Sequence, residues 1–131
     1  MGNTAIVKDF IAAWEAQDLD KVMGFFTDDA IWHNIPMPVV KGVADIRKAI
    51  AGFITMGDKV EFEVMHIAES PSGAVMTERV DKFRINGQWL ALPVMGTFEI
   101  KNGRIAQWRD YFDLEQFQSQ MALINNRKVA E

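Results

Sequence analysis

The chain has 131 residues, 49 % of them hydrophobic and 24 % charged, with a formal net charge of −4 at pH 7. That composition suits one domain over residues 1–131, able to bury roughly 65–70 % of its unfolded surface around a single core. The acidic balance, with no basic face, argues against nucleic acid. Zero cysteines exclude disulfides, thiolate catalysis and cysteine-held metals together.

In chain order, the first third reads as helical. Asn3 or Thr4 is positioned as an N-cap, and Val7, Phe10, Ile11 and Trp14 follow at helical spacing. Lys8 and Asp9 inside that pattern break any signal-peptide-like apolar stretch, so a cytoplasmic location is the default. No apolar run reaches the roughly 18 residues of a membrane span. Asp18 can cap a second short helix presenting Leu19, Val22, Met23 and Phe26, which the pair Asp28-Asp29 ends. Ala30-Ile31-Trp32-His33-Asn34 reads as a short strand, and Pro36 and Pro38 cannot continue it because they lack ladder donors. After Gly42, Ile46, Ala49, Ile50 and Phe53 form a third amphipathic helix.

The hydrophobic period then changes to two. Four strands are expected over 59–68, 74–84, 88–100 and 104–112, separated by Ser70-Pro71-Ser72-Gly73, Asn86-Gly87 and Asn102-Gly103. Asn-Gly pairs tolerate positive φ at both positions and are strong hairpin signals, so the four strands form an antiparallel meander. Pro93 and Gly96 are candidate bend points in the longest strand. Asp113 can cap a last helix carrying Leu114, Phe117, Met121 and Ile124. Helices first and a long sheet afterwards imply an α+β fold, with helices packed on one face of a curved antiparallel sheet.

Two charged segments carry the chemistry. In Glu78-Arg79-Val80-Asp81, Arg79 and Asp81 project to one face; in Trp108-Arg109-Asp110-Tyr111-Phe112-Asp113, Trp108, Asp110 and Phe112 share a face. If those faces are buried, two carboxylates and a guanidinium meet among aromatic rings. Buried ions cost several kcal/mol each unless paired and hydrogen-bonded. Two carboxyl groups sharing one arginine in a dry pocket tend to divide protonation states, one acid and one base.

Helix–helix–strand–helix followed by a four-stranded meander resembles the cone-shaped fold of the nuclear transport factor 2-like superfamily, in which helices line the concave face of the sheet. Thr77-Glu78-Arg79-Val80-Asp81 and Trp108-Arg109-Asp110-Tyr111-Phe112-Asp113 look like the two signature strands of the limonene-1,2-epoxide hydrolase family. Gly96-Thr97-Phe98 and Asn34-Ile35-Pro36-Met37-Pro38 also sit where that family has similar segments. The resemblance implies hydrolysis of a lipophilic epoxide by water, with no cofactor and no metal, in a homodimer formed through the exposed sheet face. It implies Asp110 as the base that deprotonates water, Asp81 as the acid that protonates the epoxide oxygen, and Arg79 as the bridge between them. The family's water-positioning pair maps onto Asn34 and Trp32, where Trp32 replaces a tyrosine. Phe53, Phe83, Leu92, Val94 and Phe112 match the pocket wall, and Met37 and Met95 are expected near its mouth.

Other readings carry weight at particular residues. His33 alternates away from Trp32 and Asn34; His66 shares a strand face with Phe62 and Val64 and reads as a hydrogen-bonded structural residue. Neither joins a metal-ligand spacing. The same fold also hosts isomerases and polyketide cyclases, which would use Asp110 or Asp81 as a carbon-acid base. An isomerase usually wants tyrosine-type donors beside its carboxylate, and the only tyrosine, Tyr111, alternates away from Asp110. A non-catalytic ligand-binding module would have to explain why it keeps a buried charge cluster at such desolvation cost.

Overall fold

A computed structural model describes residues 2–130, with side chains for 2–125. The elements run α1 (Asn3–Glu15), α2 (Leu19–Met23), β1 (Phe26–Ile35), β2 (Val40–Lys41), α3 (Val43–Ile54), β3 (Lys59–Glu69), β4 (Val75–Ile85), β5 (Gln88–Lys101), β6 (Arg104–Tyr111) and α4 (Leu114–Ala130). Six strands form one curved sheet in the order β2-β1-β6-β5-β4-β3. Strands β3 to β6 are the expected antiparallel meander. Asn86 (φ 53°) with Gly87 (φ 76°), and Asn102 (φ 52°) with Gly103 (φ 79°), make the turns that the Asn-Gly pairs announce. The sheet as a whole is mixed, because β1 joins β6 in parallel, with Trp32 opposite Trp108 and Asn34 opposite Asp110.

Several local expectations are corrected. Helix α1 starts without a side-chain cap, because Asn3 is used elsewhere: its N–H donates to Glu69 Oε1 (2.8 Å) and its amide to the Gly73 carbonyl (2.8 Å). Asp18 does cap α2, accepting from the Lys21 N–H at 3.1 Å. That helix ends at Met23, however, and Phe26 opens β1 opposite Ile105 rather than closing the helix. Pro93 makes no bulge in β5, whose pairing with β4 is unbroken. Strand β6 reaches only to Tyr111, opposite Met95, so the preceding part of β5 is an edge there. Ala91 on that edge is capped by the Gln120 side chain of α4, which donates to its carbonyl (2.8 Å) and accepts from its N–H (2.9 Å). Pro93, two residues on, faces the same way and loses no ladder bond. In β3 the pairing with β4 slips between Val64 and His66. This bulge at Met65 moves His66 off the face of Phe62 and Val64; it is exposed and meets Glu78 Oε1 at 3.0 Å.

The core fills the concavity. Phe10 of α1 packs edge-on against Phe26 (5.4 Å between centroids), Phe98 (5.9 Å) and Trp108 (5.1 Å), and Trp14 lies 5.2 Å from Phe62. Phe53 of α3 meets Trp32 edge-on at 5.8 Å. Each such buried ring contributes about 1.5–3 kcal/mol. That is the scale needed to offset several kcal/mol per buried ion in the same concavity.

Candidate active site

The sheet register explains how the charges meet. Reading across the concave face, Phe62, Asp81 and Leu92 form one row, Val64, Arg79 and Val94 the next, and Thr77, Gly96, Asp110 and Asn34 the third. Arg79 therefore stands in the row between the two carboxylates, and its fork reaches both. Its Nε and Nη2 donate to Asp81 Oδ1 (2.9 Å) and Oδ2 (2.8 Å), and its Nη1 and Nη2 to Asp110 Oδ1 (3.2 Å) and Oδ2 (2.7 Å). Nη1 also donates to Thr77 Oγ1 at 2.9 Å, and Thr77 in turn donates to the Gly96 carbonyl. Only a glycine permits this: a Cβ on Gly96 would stand 2.6 Å from Arg79 Nη1 and would overlap Asp110 Oδ1. Gly96 leaves out a side chain where the salt bridge passes.

Arg79 is 1 % exposed, Asp81 7 % and Asp110 5 %. Burial works against the Arg79 charge, yet the two carboxylates outweigh it and raise its pKa above the ordinary value. Burial also raises the Asp81 pKa above its ordinary value. The Arg79 charge and hydrogen bonds pull it the other way, and Asp110 adds to the rise. For a carboxyl this enclosed, desolvation outweighs the single arginine, which two carboxylates must share. Asp110 differs by one further donor, Trp108 Nε1, at 2.7 Å from its Oδ1.

A cavity of about 50 Å³ lies over these groups. At about 10–15 Å³ for each water, it has room for a few waters before any widening. Of the residues expected at the site, Asp81, Asp110, Asn34, Trp32, Phe53, Phe83, Leu92, Val94 and Phe112 line it, with Arg79 bridging the carboxylates. Met37 also lines the cavity, but Met95 does not; it alternates away from Val94 and is exposed on the outer face. Trp32 stacks on Trp108 at 5.1 Å, and its N–H has no partner among the described residues. Thr77, Gly96 and Trp108 were not anticipated in roles, although alternation puts Thr77 with Arg79 and Trp108 with Asp110. Trp14, Phe62, Leu90 and Phe117 complete the wall. Among the described residues no three of His, Cys, Asp and Glu stand together as a metal-ligand set, and no helix is long and apolar enough to cross a membrane.

Comparison with known proteins shows the family. A family model, the limonene-1,2-epoxide hydrolase catalytic domain, matches residues 1–123. The chain is 34 % identical over 109 residues to epoxide hydrolase EphG of Mycobacterium tuberculosis (strain ATCC 25618 / H37Rv), covering 82 % of this chain and 71 % of that protein. The solved structure of an M. tuberculosis LEH-like epoxide hydrolase superposes with a TM-score of 0.80 at 26 % identity, over 98 % of this chain and 95 % of that one. The epoxide hydrolase/cyclase-like enzyme SalBIII, with a role in pyran ring formation in polyether salinomycin, superposes with a TM-score of 0.79 over 87 % of this chain and 92 % of its own. At 18 % identity that likeness concerns the fold alone. The chain belongs to the limonene-1,2-epoxide hydrolase family.

Proposed function

We propose that this protein hydrolyses a lipophilic, terpene-like or cyclic epoxide to a vicinal diol by one-step attack of water. The observation that carries the reading is the unequal pair of carboxyl groups on one guanidinium. Asp81 is pushed toward its protonated form by burial, while Asp110 accepts from both Arg79 and Trp108. A protonated Asp81 gives its proton to the oxirane oxygen as the C–O bond breaks; ring strain drives the opening, and protonation avoids a free alkoxide. Asp110 takes the proton from the water whose oxygen forms the new C–O bond. The cluster loses one proton at Asp81 and gains one at Asp110, so its charge is unchanged through the step, and exchange with solvent restores the starting state. Asn34, opposite Asp110 in the register, and the unpartnered Trp32 N–H hold the water oxygen. The indole donates without accepting, so Asp110 remains the acceptor for the water's proton. Acid and base functions are each typically worth about 10²–10⁴-fold.

The reaction as drawn draws on no metal or cofactor. Met65, Met76, Met95 and Tyr111 are all exposed on the outer face, and we assign that face to a homodimer contact, in a cytoplasmic protein. An isomerase reading fits less well, because Tyr111 is exposed there and away from the cavity.

Incubation with a panel of terpene, cyclic and aromatic epoxides tests the function: at least one gives diol. Single turnover in ¹⁸O-water tests the step, because direct attack puts label into the first diol formed. Unlabelled first-turnover diol, or a mass increase trapped on Asp81 or Asp110, means a carboxylate nucleophile and overturns the one-step mechanism. No diol from any epoxide overturns the reaction.

A further inference from the structure

Strand β6 stops at Tyr111, opposite Met95, while β5 starts well before that, at Gln88. Along the part of β5 that β6 leaves unpaired stand Leu90, Leu92 and Val94, and all three line the cavity. Helix α4 takes the place of the missing strand. Gln120 holds it there, accepting from the Ala91 N–H at 2.9 Å and donating to the Ala91 carbonyl at 2.8 Å. One side-chain amide thus answers both backbone groups, as a neighbouring strand would.

The place of this grip matters for the cavity. Ala91 lies between Leu90 and Leu92, and Gln120 lies one helical turn after Phe117, which lines the same cavity. Phe83, Leu90 and Leu92 are fixed by the ladder between β4 and β5. Phe117 is half-buried, meets Phe112 edge-on at 6.3 Å, and stands where α4 is held. In the register Val60, Phe83 and Leu90 form the row next to Phe62, Asp81 and Leu92, on the side away from Asp110. The wall of Leu90 and Phe117 therefore bounds the cavity beyond Asp81, and it selects by shape because it is apolar. The cavity, about 50 Å³, takes only a few waters' worth of volume as it stands. A bulky group directed past Asp81 has to push against Phe117, and the two bonds of Gln120 resist that movement.

We propose that Gln120 is a positioning residue that, through Phe117, sets the size limit of the cavity beyond Asp81, so that the preferred substrate is a compact cyclic epoxide without a bulky ring substituent. The proposal rests on the epoxide hydrolase reading and narrows its substrate class.

The test compares cyclohexene oxide with an isopropyl derivative that carries the same oxirane and the bulky group across the ring. The native protein is expected to favour the unsubstituted epoxide in kcat/KM. Gln120→Met keeps the length of the side chain and removes both hydrogen bonds. It is expected to move the ratio of the two kcat/KM values about tenfold toward the isopropyl epoxide, the scale of one or two net hydrogen bonds. Phe117→Ala moves the ratio the same way. The double variant moves it no further than the larger single change, because Gln120 acts through Phe117. Should Gln120→Met not fold, Gln120→Glu keeps the acceptor for the Ala91 N–H, loses the donor, and shifts the ratio in the same direction. Should neither epoxide be turned over, the dissociation constants of the two corresponding diols, read by tryptophan fluorescence, carry the same comparison. A ratio of those constants that moves with the Gln120 variant keeps the size limit and rejects the hydrolase reading. A native preference for the isopropyl compound, a ratio unmoved by the folded Gln120 variant, or shifts that add fully in the double variant overturn the proposal.

Discussion

The two faces of the sheet use the same residue types to opposite ends. On the concave face of β4 and β6, Arg79 holds Asp81 and Asp110 with both carboxyl side chains 10 % exposed or less. One residue along the same strands, the outer face carries Glu78 with His66, Lys82 with Glu63, and Arg109 with Glu99, all open to solvent. Outside, water solvates each ion whether or not it is paired, so pairing changes little. Inside, the ions depend on each other, and removing one changes the protonation of the rest. Alternation along a strand therefore separates charges buried against one another from charges that keep a surface wet.

The largest effect should come from the concave carboxylates. Asp110→Asn and Asp81→Asn keep shape but cannot act as base or strong acid, and each is expected to lower kcat about 10²–10⁴-fold. Retention of more than about a tenth of activity by either variant contradicts its role. The corresponding change at Glu99, on the outer face, should leave kcat within about twofold, as suits a surface ion pair worth about 0–1 kcal/mol.

The bridge comes next, and stability is its readout. Arg79→Met leaves two buried carboxyl groups without their common cation, and loss of one partner of a buried pair costs about 3–5 kcal/mol. Denaturant midpoints should show this loss, and it should shrink in acid as the carboxyls protonate. Arg109→Met on the outer face is the control. Equal midpoints for the two variants would erase the distinction between the faces.

How much of this was visible beforehand depended on range along the chain. Asn86-Gly87 and Asn102-Gly103 fix hairpins locally, and the hairpins fix which faces of β4, β5 and β6 coincide; from those, Arg79, Asp81 and Asp110 follow. The bulge at Met65 was not visible, because nothing in Val64-Met65-His66 marks a slipped register, and His66 was therefore placed on the wrong face. Phe26 fits a helical stripe as well as a strand, and its pairing with Ile105, far along the chain, decides the matter. Gly96 and Pro93 carry the composition of a bend. The space that Gly96 leaves for a salt bridge and the strand edge that Pro93 occupies exist only once neighbouring strands and α4 are in place. The roles assigned to the site residues rest on the family and await the variants above.

A smaller effect concerns pH. Burial holds the Asp81 pKa above 3.8 in the folded state, so above that pH the native protein binds a proton that the unfolded chain releases. Asp81's contribution to stability is fully present below 3.8 and is lost as pH rises through the folded value, by at most about tenfold in the folding constant per pH unit. Asp81→Asn removes that slope. The alkaline limb of kcat/KM should also belong to Asp81, since the proposed step uses its proton. A wild-type and Asp81→Asn pair with parallel stability profiles would place the raised pKa elsewhere.

The smallest effect is the most discriminating. Arg109 Nη1 meets Glu99 Oε2 at 2.5 Å, as short as any bond within the concave cluster, so distance alone would rank it beside Arg79–Asp110. Their side chains are 28 % and 46 % exposed, however, and water screens what geometry offers. A double-mutant cycle of Arg109→Met and Glu99→Gln should return a coupling of about 0–1 kcal/mol that fades with added salt. The matching cycle of Arg79→Met and Asp110→Asn should couple several times more strongly and resist salt, because no ions enter the cavity to replace either partner. A salt-insensitive coupling on the outer face would mean that this face is covered in solution. That is also what a dimer through Met95 and Tyr111 would produce, so repeating the outer cycle at protein concentrations on both sides of dissociation separates intrinsic pairing from pairing buried by a second copy.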